Sequence, residues 1–418
     1  DSPISHTAST EMINADASNV SVTARVNSSI DPDDLPSPRY FHASCRLLDG
    51  FVFNCGGVSA AASGPSENCA EGNKGSCVFT GNEAYIVGYL ARIGASGWGI
   101  ISDVEYNNSA NETSVSFIGF DDEISDGTTI TQYTLATTAT EIFDINSDLD
   151  LNGDGDWVAG PNLYSGFYGR YGHTATLLQD GRVLIYGGLY DYLEDKDNDF
   201  EFYYEIYDPR TNTTSVQFQA DDEAAKNVAM TTRFFHRAVR MRDGRVLICG
   251  GIDNAAFSVT RNFDASGIGS VLSTAMIFDP STDTMYDVGN MNQPRVFFDA
   301  ALLSDGRVLI AGGVHNIDTN NNVVYYNDSA EIFDPSTNEF TTISGGMLLP
   351  RFGHTLTSAD DGKVLVAGTG DSSERMCELF IEEGEFFRAT AGSLSVDRAW
   401  GTAAVLLDDG DSNTGLEW

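Results

Sequence analysis

Apolar and polar positions in this chain follow the two-residue rhythm of strands, and the rhythm comes in units that repeat. From Arg170 to Gly188 the sequence reads RYGHTATLLQDGRVLIYGG. An apolar run over Ala175–Leu178, a turn at Asp180-Gly181 and a second run over Val183–Tyr186, stopped by Gly187-Gly188, predict a tight β-hairpin with largely buried strands. The same unit recurs at Arg39–Gly57, Arg233–Gly251, Arg295–Gly313 and Arg351–Gly368, always with the Arg ten residues before the turn Asp. A shortened sixth copy, RAWGTAAVLLDDG, opens at Arg398 without a recognisable second strand. Such fixed spacing marks internal repeats.

A second motif follows each complete copy: TEIFD at 140–144, YEIYDP at 204–209, AMIFDP at 275–280, AEIFDP at 330–335 and CELFIEE at 377–383. Its alternation, closed in most copies by Asp-Pro, predicts a third strand ended by a turn. A fourth strand is expected near Trp157, Ser215–Phe218, Met285, Glu339–Thr342 and Glu385–Arg388.

Four strands per unit, a double glycine after the second and an aromatic residue near the fourth make the chain resemble a kelch-repeat β-propeller, from about Arg39 to its C-terminus. The resemblance implies an all-β, kelch-type β-propeller of about six blades, packed radially so that strand edges are protected. Residues 1–36 then form an N-terminal arm and 37–418 the propeller, with a large insertion, 58–138, inside the first blade. The strand-like Val20–Val26 is expected to complete the blade begun near Ala399–Leu407, or to add to a blade of a neighbouring molecule. The insertion carries an apolar stretch, Ala84–Ile101, and strand-like runs at Val115–Ile118 and Thr129–Leu135. It is expected to build a small extra sheet or a cap over one face.

Charge narrows the partners. With 23 basic and 61 acidic residues among 418 the net charge is −38, so neither nucleic acid nor an anionic membrane is an expected partner. Such a surface suits a salty or calcium-rich exterior as well as plain solubility. Ala84–Ile101 carries Arg92 and several glycines, and is read as a buried or interfacial segment and not a span. A start at Asp1 looks like a processed, mature form. Cys69 and Cys77 bracket CAEGNKGSC, the pattern of a small loop disulfide in an oxidising compartment. Cys45 and Cys55, on the two strands of the first hairpin, are a second candidate pair, and Cys249 is read as a small core residue. Sequons at Asn19, Asn27, Asn107, Asn111, Asn212 and Asn327 are glycosylation candidates. Together these features favour an extracellular or cell-surface location.

The sharpest candidate for chemistry is DLDLNGDGD at 148–156. Asp148, Asp150, Asn152, Asp154 and Asp156 alternate, and Gly153 and Gly155 let the chain fold their oxygens inward, as a hard cation such as calcium requires. The opening matches an EF-hand-type loop, but its twelfth position is Ala159, so calcium needs a further carboxylate or water. DKDND at 195–199 is a weaker echo. His42, His173, His236 and His354 share one repeat position, and with the repeat Arg they are read as architectural. The Arg is expected to bridge backbone carbonyls of adjacent blades.

The hairpin unit is also similar to the propeller of galactose-oxidase-type copper enzymes, which carry a metal-binding Tyr two residues after the repeat Arg. Here those positions hold Phe41, Gly172, Phe235, Phe297, Gly353 and Trp400, which speaks against a copper site. G-x-S-x-G, H-E-x-x-H and phosphate-loop patterns are absent from the sequence. The expected function is therefore a non-enzymatic secreted or cell-surface module that binds a surface protein or glycan, or is a calcium-stabilised structural subunit assembling with its own copies. The alternative is a secreted carbohydrate-active or oxidative enzyme with its site on the channel face or in the 58–138 insertion.

Overall fold

A computed structural model describes residues 9–14, 21–26, 39–40, 42–59, 66–73, 76–81, 85, 90–94, 97–118, 124–133, 138–144, 156–163, 169–190, 203–218, 233–253, 271–318, 323–359, 362–369 and 375–394. Among these every regular element is a strand. Each of the five complete repeats forms one four-stranded antiparallel sheet whose strands pair in chain order. Sheet 1 comprises Ala43–Arg46, Val52–Cys55, Thr140–Asp144 and Asp156–Ala159. Sheet 2 comprises Thr174–Leu177, Val183–Tyr186, Tyr203–Asp208 and Thr213–Phe218. Sheet 3 comprises Arg237–Arg240, Val246–Cys249, Thr274–Asp279 and Thr284–Asn290. Sheet 4 comprises Asp299–Leu302, Val308–Ala311, Ala330–Asp334 and Glu339–Thr342. Sheet 5 comprises Thr355–Ala359, Lys363–Ala367, Met376–Ile381 and Phe386–Ser393.

The unbroken apolar second strands are explained by burial on both faces. Val183 and Ile185 pack with Phe53 and Ile142 of sheet 1, whereas Leu184 and Tyr186 pack with Val246 and Ile248 of sheet 3. Leu247 and Cys249 then meet Val308 and Ile310, and Leu309 and Ala311 meet Val364 and Val366. Among the described residues the core of the five sheets is thus four layers, each held between successive sheets. First strands of successive sheets also lie side by side.

Antiparallel order puts the first and third turns of every sheet at one end, and the connections from second to third strand at the other. The first turn is longer than a two-residue hairpin: Leu178 N–H donates to Arg182 O at 2.7 Å, and Asp180 Oδ1 accepts from Arg182 N at 3.0 Å. The third turn repeats this device, with Asp279 Oδ1 accepting from Ser281 N and Asp334 Oδ1 from Ser336 N. Hydrogen bonds from the Ser281 and Ser336 hydroxyls at 2.6 Å, and then those from the N–H groups, hold the carboxyls of Asp279 and Asp334 below their ordinary range. Neighbouring first turns touch: a Cβ on Gly181 would stand 3.1 Å from Leu48 Cδ1, and one on Gly306 3.2 Å from Arg242 Cδ. All five sheets therefore point the same way.

The 58–138 insertion does form an extra sheet, larger than expected. Seven antiparallel strands run in the order Ser66–Asn68, Thr129–Tyr133, Leu90–Ile93, Gly97–Asn107, Glu112–Ile118, Ser76–Thr80, Glu71–Asn73. It has its own core, with Phe79, Ala91, Ile101, Val115 and Ile130. The apolar stretch Ala84–Ile101 supplies two of its central strands, and no helix among the described residues is long and apolar enough to cross a membrane. The two edge strands have three residues each, which leaves little edge for unwanted pairing. Near the N-terminus Ser21–Val26 pairs with Ser9–Asn14 and lies beside Phe386–Ser393 of sheet 5. The sixth copy from Arg398 falls outside the described residues.

Candidate functional site

The repeat Arg and the double glycine build one joint that recurs between sheets. In sheets 2 to 5 the Arg side chain is buried and turns back onto its own sheet. Arg233 Nη1 donates to Gly250 O at 3.0 Å, Arg295 Nη1 to Gly312 O at 2.8 Å and Arg351 Nη1 to Gly368 O at 2.9 Å. A third-strand carboxylate completes the shell: Glu205 for Arg170, Glu331 for Arg295 at 2.9 Å and Glu378 for Arg351 at 3.0 Å. Sheet 3 has Met276 at this register, and Arg233 donates instead to Thr274 O and Oγ1, both at 2.8 Å. Burial pulls the Arg233 and Arg295 guanidiniums down from their ordinary value, yet a group that starts so high stays charged.

The crossing to the next sheet is made by main chain, which corrects the expectation that the Arg side chain bridges adjacent units. The second glycine of each pair donates to the next repeat Arg's carbonyl: Gly57 to Arg170, Gly188 to Arg233 and Gly251 to Arg295 at 2.8 Å, and Gly313 to Arg351 at 2.7 Å. The first glycine makes room for the ring three residues after that Arg. A Cβ on Gly56 would lie 2.5 Å from His173 Cε1, on Gly187 2.7 Å from His236 Cε1, on Gly250 2.6 Å from Phe298 Cε1 and on Gly312 2.5 Å from His354 Cε1. These histidines are architectural, as their recurrence implied, with His42 exposed as the exception. Burial, then the neighbouring Arg, holds His173 and His236 well below the usual imidazole range, and His354 at about 3.

At the long-connection end of the first strands the positions two after the repeat Arg gather into an apolar group. Phe235 and Phe297 are buried, their ring centroids 5.0 Å apart, and Tyr171 stands 6.2 Å from Phe235. Phe235 N donates to Gly172 O at 2.7 Å and Gly353 N to Phe297 O at 2.8 Å. Phe235 and Phe297 sit at φ 54° and 59°, a left-handed conformation that bulky residues hold only when their surroundings enforce it. Tyr326, which ends the long connection of sheet 4, stacks on Phe352 at 4.7 Å. The 58–138 insertion and the two-stranded ribbon of Val314–Asp318 and Val323–Tyr326 both leave from this end.

Of the calcium candidates only Asp156 is among the described residues; Asp148, Asp150, Asn152 and Asp154 lie outside them, as does 195–199. Asp156 pairs with Asp144 across the third and fourth strands of sheet 1. Among the described residues no cluster of three or more His, Cys, Asp or Glu is arranged to hold a metal. Cys69 and Cys77 are joined, with Cα atoms 5.7 Å apart. Cys45 and Cys55 both remain thiols, because register sets Cys45 opposite Phe53 and Cys55 opposite Ala43. Cys249 is a buried core residue. Asn107, Asn111 and Asn212 are exposed. Asn327 is 6% exposed and its Oδ1 accepts from Ser329 N at 2.9 Å, a position suited to packing and not to a glycan. Asn19 and Asn27 lie outside the described residues.

No protein-family model matches the chain, and no curated protein matches it. Among solved structures it is similar to that of YjhT, at 14% identity and a TM-score of 0.45, over 64% of this chain and 81% of that one.

Proposed function

We propose that the chain is a kelch-type β-propeller of about six blades that acts without catalysis, as a secreted or cell-surface binding module or a structural subunit of an extracellular assembly. The observation that carries this reading is the aromatic group of Tyr171, Phe235 and Phe297. It occupies the end of the first strands where an enzyme of this architecture would need converging polar groups and room for a substrate. Each buried Arg is spent on carbonyls and, in three sheets, a Glu of its own sheet, and the His rings pack over the preceding sheet's glycine, which suits a rigid platform. Long connections at that same end, the seven-stranded sheet among them, are the surface offered to a protein or glycan partner, or to copies of the chain.

Calcium belongs to this proposal as a structural ion held by Asp148, Asp150, Asn152, Asp154 and Asp156, with Asp144 in support. Light scattering of the full chain with and without a chelator tests both parts. Ordered multimers that dissociate on chelation, and a melting temperature raised by calcium in the parent but not in Asp150→Asn/Asp154→Asn, are the expected results. A chelator-insensitive monomer that turns over an oligosaccharide would overturn the reading.

A further inference from the structure

Three of the four described joints place an imidazole where one places a benzene ring. His173, His236 and His354 are buried, each seated over the first glycine of the preceding sheet, and Phe298 fills the same seat between sheets 3 and 4. Shape alone therefore does not demand histidine there. The polar contacts are few: His173 Nε2 lies 3.3 Å from Cys55 Sγ, and His236 Nε2 2.9 Å from Thr174 Oγ1.

The charged groups nearest these rings are cations, of which Arg170, Arg295, Arg351 and Arg237 are paired with Glu205, Glu331, Glu378 and Asp299 and Arg233 has Thr274 oxygens instead. Arg170 and His42 face His173; Arg233, Arg237 and His173 face His236; Arg351, Arg237 and Arg295 face His354. Tyr186 meets the edge of His236 at 5.3 Å. A proton on any of these rings would be a second buried cation beside an arginine, with its hydration lost. The folded chain thus keeps three neutral imidazoles that the open chain would protonate.

We propose that the three imidazole joints form an acid-operated latch, in which the sheets part together when protons enter from an acidified medium. Because each folded value is depressed, the stabilising contribution is complete above the unfolded histidine pKa of about 6.5 and is lost as pH falls below it. Three coupled sites make the opening steep: once the open chain is fully protonated, its equilibrium constant rises about 1000-fold per pH unit. The hydrogen-bonded Asp208, Asp279 and Asp334 act the same way only nearer their own range around pH 4.

Proton uptake on unfolding, measured by calorimetry of the full chain in buffers of different ionisation enthalpy, tests this. The parent is expected to take up between two and three protons at about pH 5.5 and close to none at about pH 8. His173→Phe/His236→Phe/His354→Phe, which copies the Phe298 joint into the other three, is expected to take up less than one at the lower pH and to melt at the higher within a few degrees of the parent. Uptake below one by the parent, or equal uptake by parent and variant, would overturn the latch. If the triple variant does not fold, His354→Phe alone is expected to remove one proton, and unchanged uptake would equally overturn it.

Discussion

Glu331→Ala is expected to destabilise the chain by about 3–5 kcal/mol, the cost of leaving a buried charge without its partner. Arg295 and Glu331 are both wholly buried. The carboxylate accepts from Arg295 Nε at 3.1 Å and Nη2 at 2.9 Å, and from the main-chain N–H groups of Asn292 at 2.6 Å and Gln293 at 3.2 Å. Truncation strands Arg295 Nε and the two main-chain N–H groups and leaves Nη2 only Ser329 Oγ at 2.7 Å, in a site that the strand pairing around Glu331 closes to solvent. Denaturant midpoints at constant slope are the measurement. Glu331→Gln, which keeps an acceptor, is expected to lose about half as much. Surface pairs give the contrast: removing Arg307 from Asp305 and Glu385, where the side chain is 29% exposed, is expected to cost no more than about 1 kcal/mol. Equal costs at the two sites would mean that the buried shell does not hold the sheet.

Gly312→Ala is expected to be comparably damaging, at about 2–5 kcal/mol, a sum of two terms. Gly312 has φ +70°, and its new Cβ would meet His354 Cε1 at 2.5 Å, Arg351 O at 2.8 Å and Met347 Cε at 2.9 Å. The backbone term alone is worth about 1–2 kcal/mol, and forced overpacking adds about 1–3 kcal/mol. The carbonyl cannot swing aside, because it already accepts from Gly313 N at 2.7 Å. Gly289 separates the two terms: its φ is +91° but nothing lies within 4 Å of a Cβ there. Gly289→Ala is expected to cost only the backbone part. A Gly312 variant no worse than the Gly289 one would remove steric fit from the account of the joint.

Local chemistry made the sheets legible in the sequence. Asp180-Gly181 and its copies announce a turn because the Asp side chain caps it, and VLIY, VLIC and VLIA announce strands buried on both faces. The Glu that closes the Arg shell was equally visible as the second residue of YEIYD, AEIFD and CELFI, but its meaning depends on pairing across the sheet. That is non-local information, as is the facing of Asp144 and Asp156. The same limit explains the cysteines: two thiols on paired strands look bridgeable until register sets them two residues out of line. In the insertion, strand-like runs at Val115–Ile118 and Thr129–Leu135 were readable one by one. Their order, with Thr129–Tyr133 between Ser66–Asn68 and Leu90–Ile93, is set by contacts between segments far apart in the chain.

Closure of the repeats into a disc is the claim on which the platform reading depends, and single-particle electron microscopy of the full chain tests it most directly. Class averages are expected to show radial sheets around a central axis, the Ser9–Asn14 and Ser21–Val26 hairpin beside the last of them, and the seven-stranded sheet standing off one face. An open, curved row of sheets ending in a free edge after Phe386–Ser393 would contradict it.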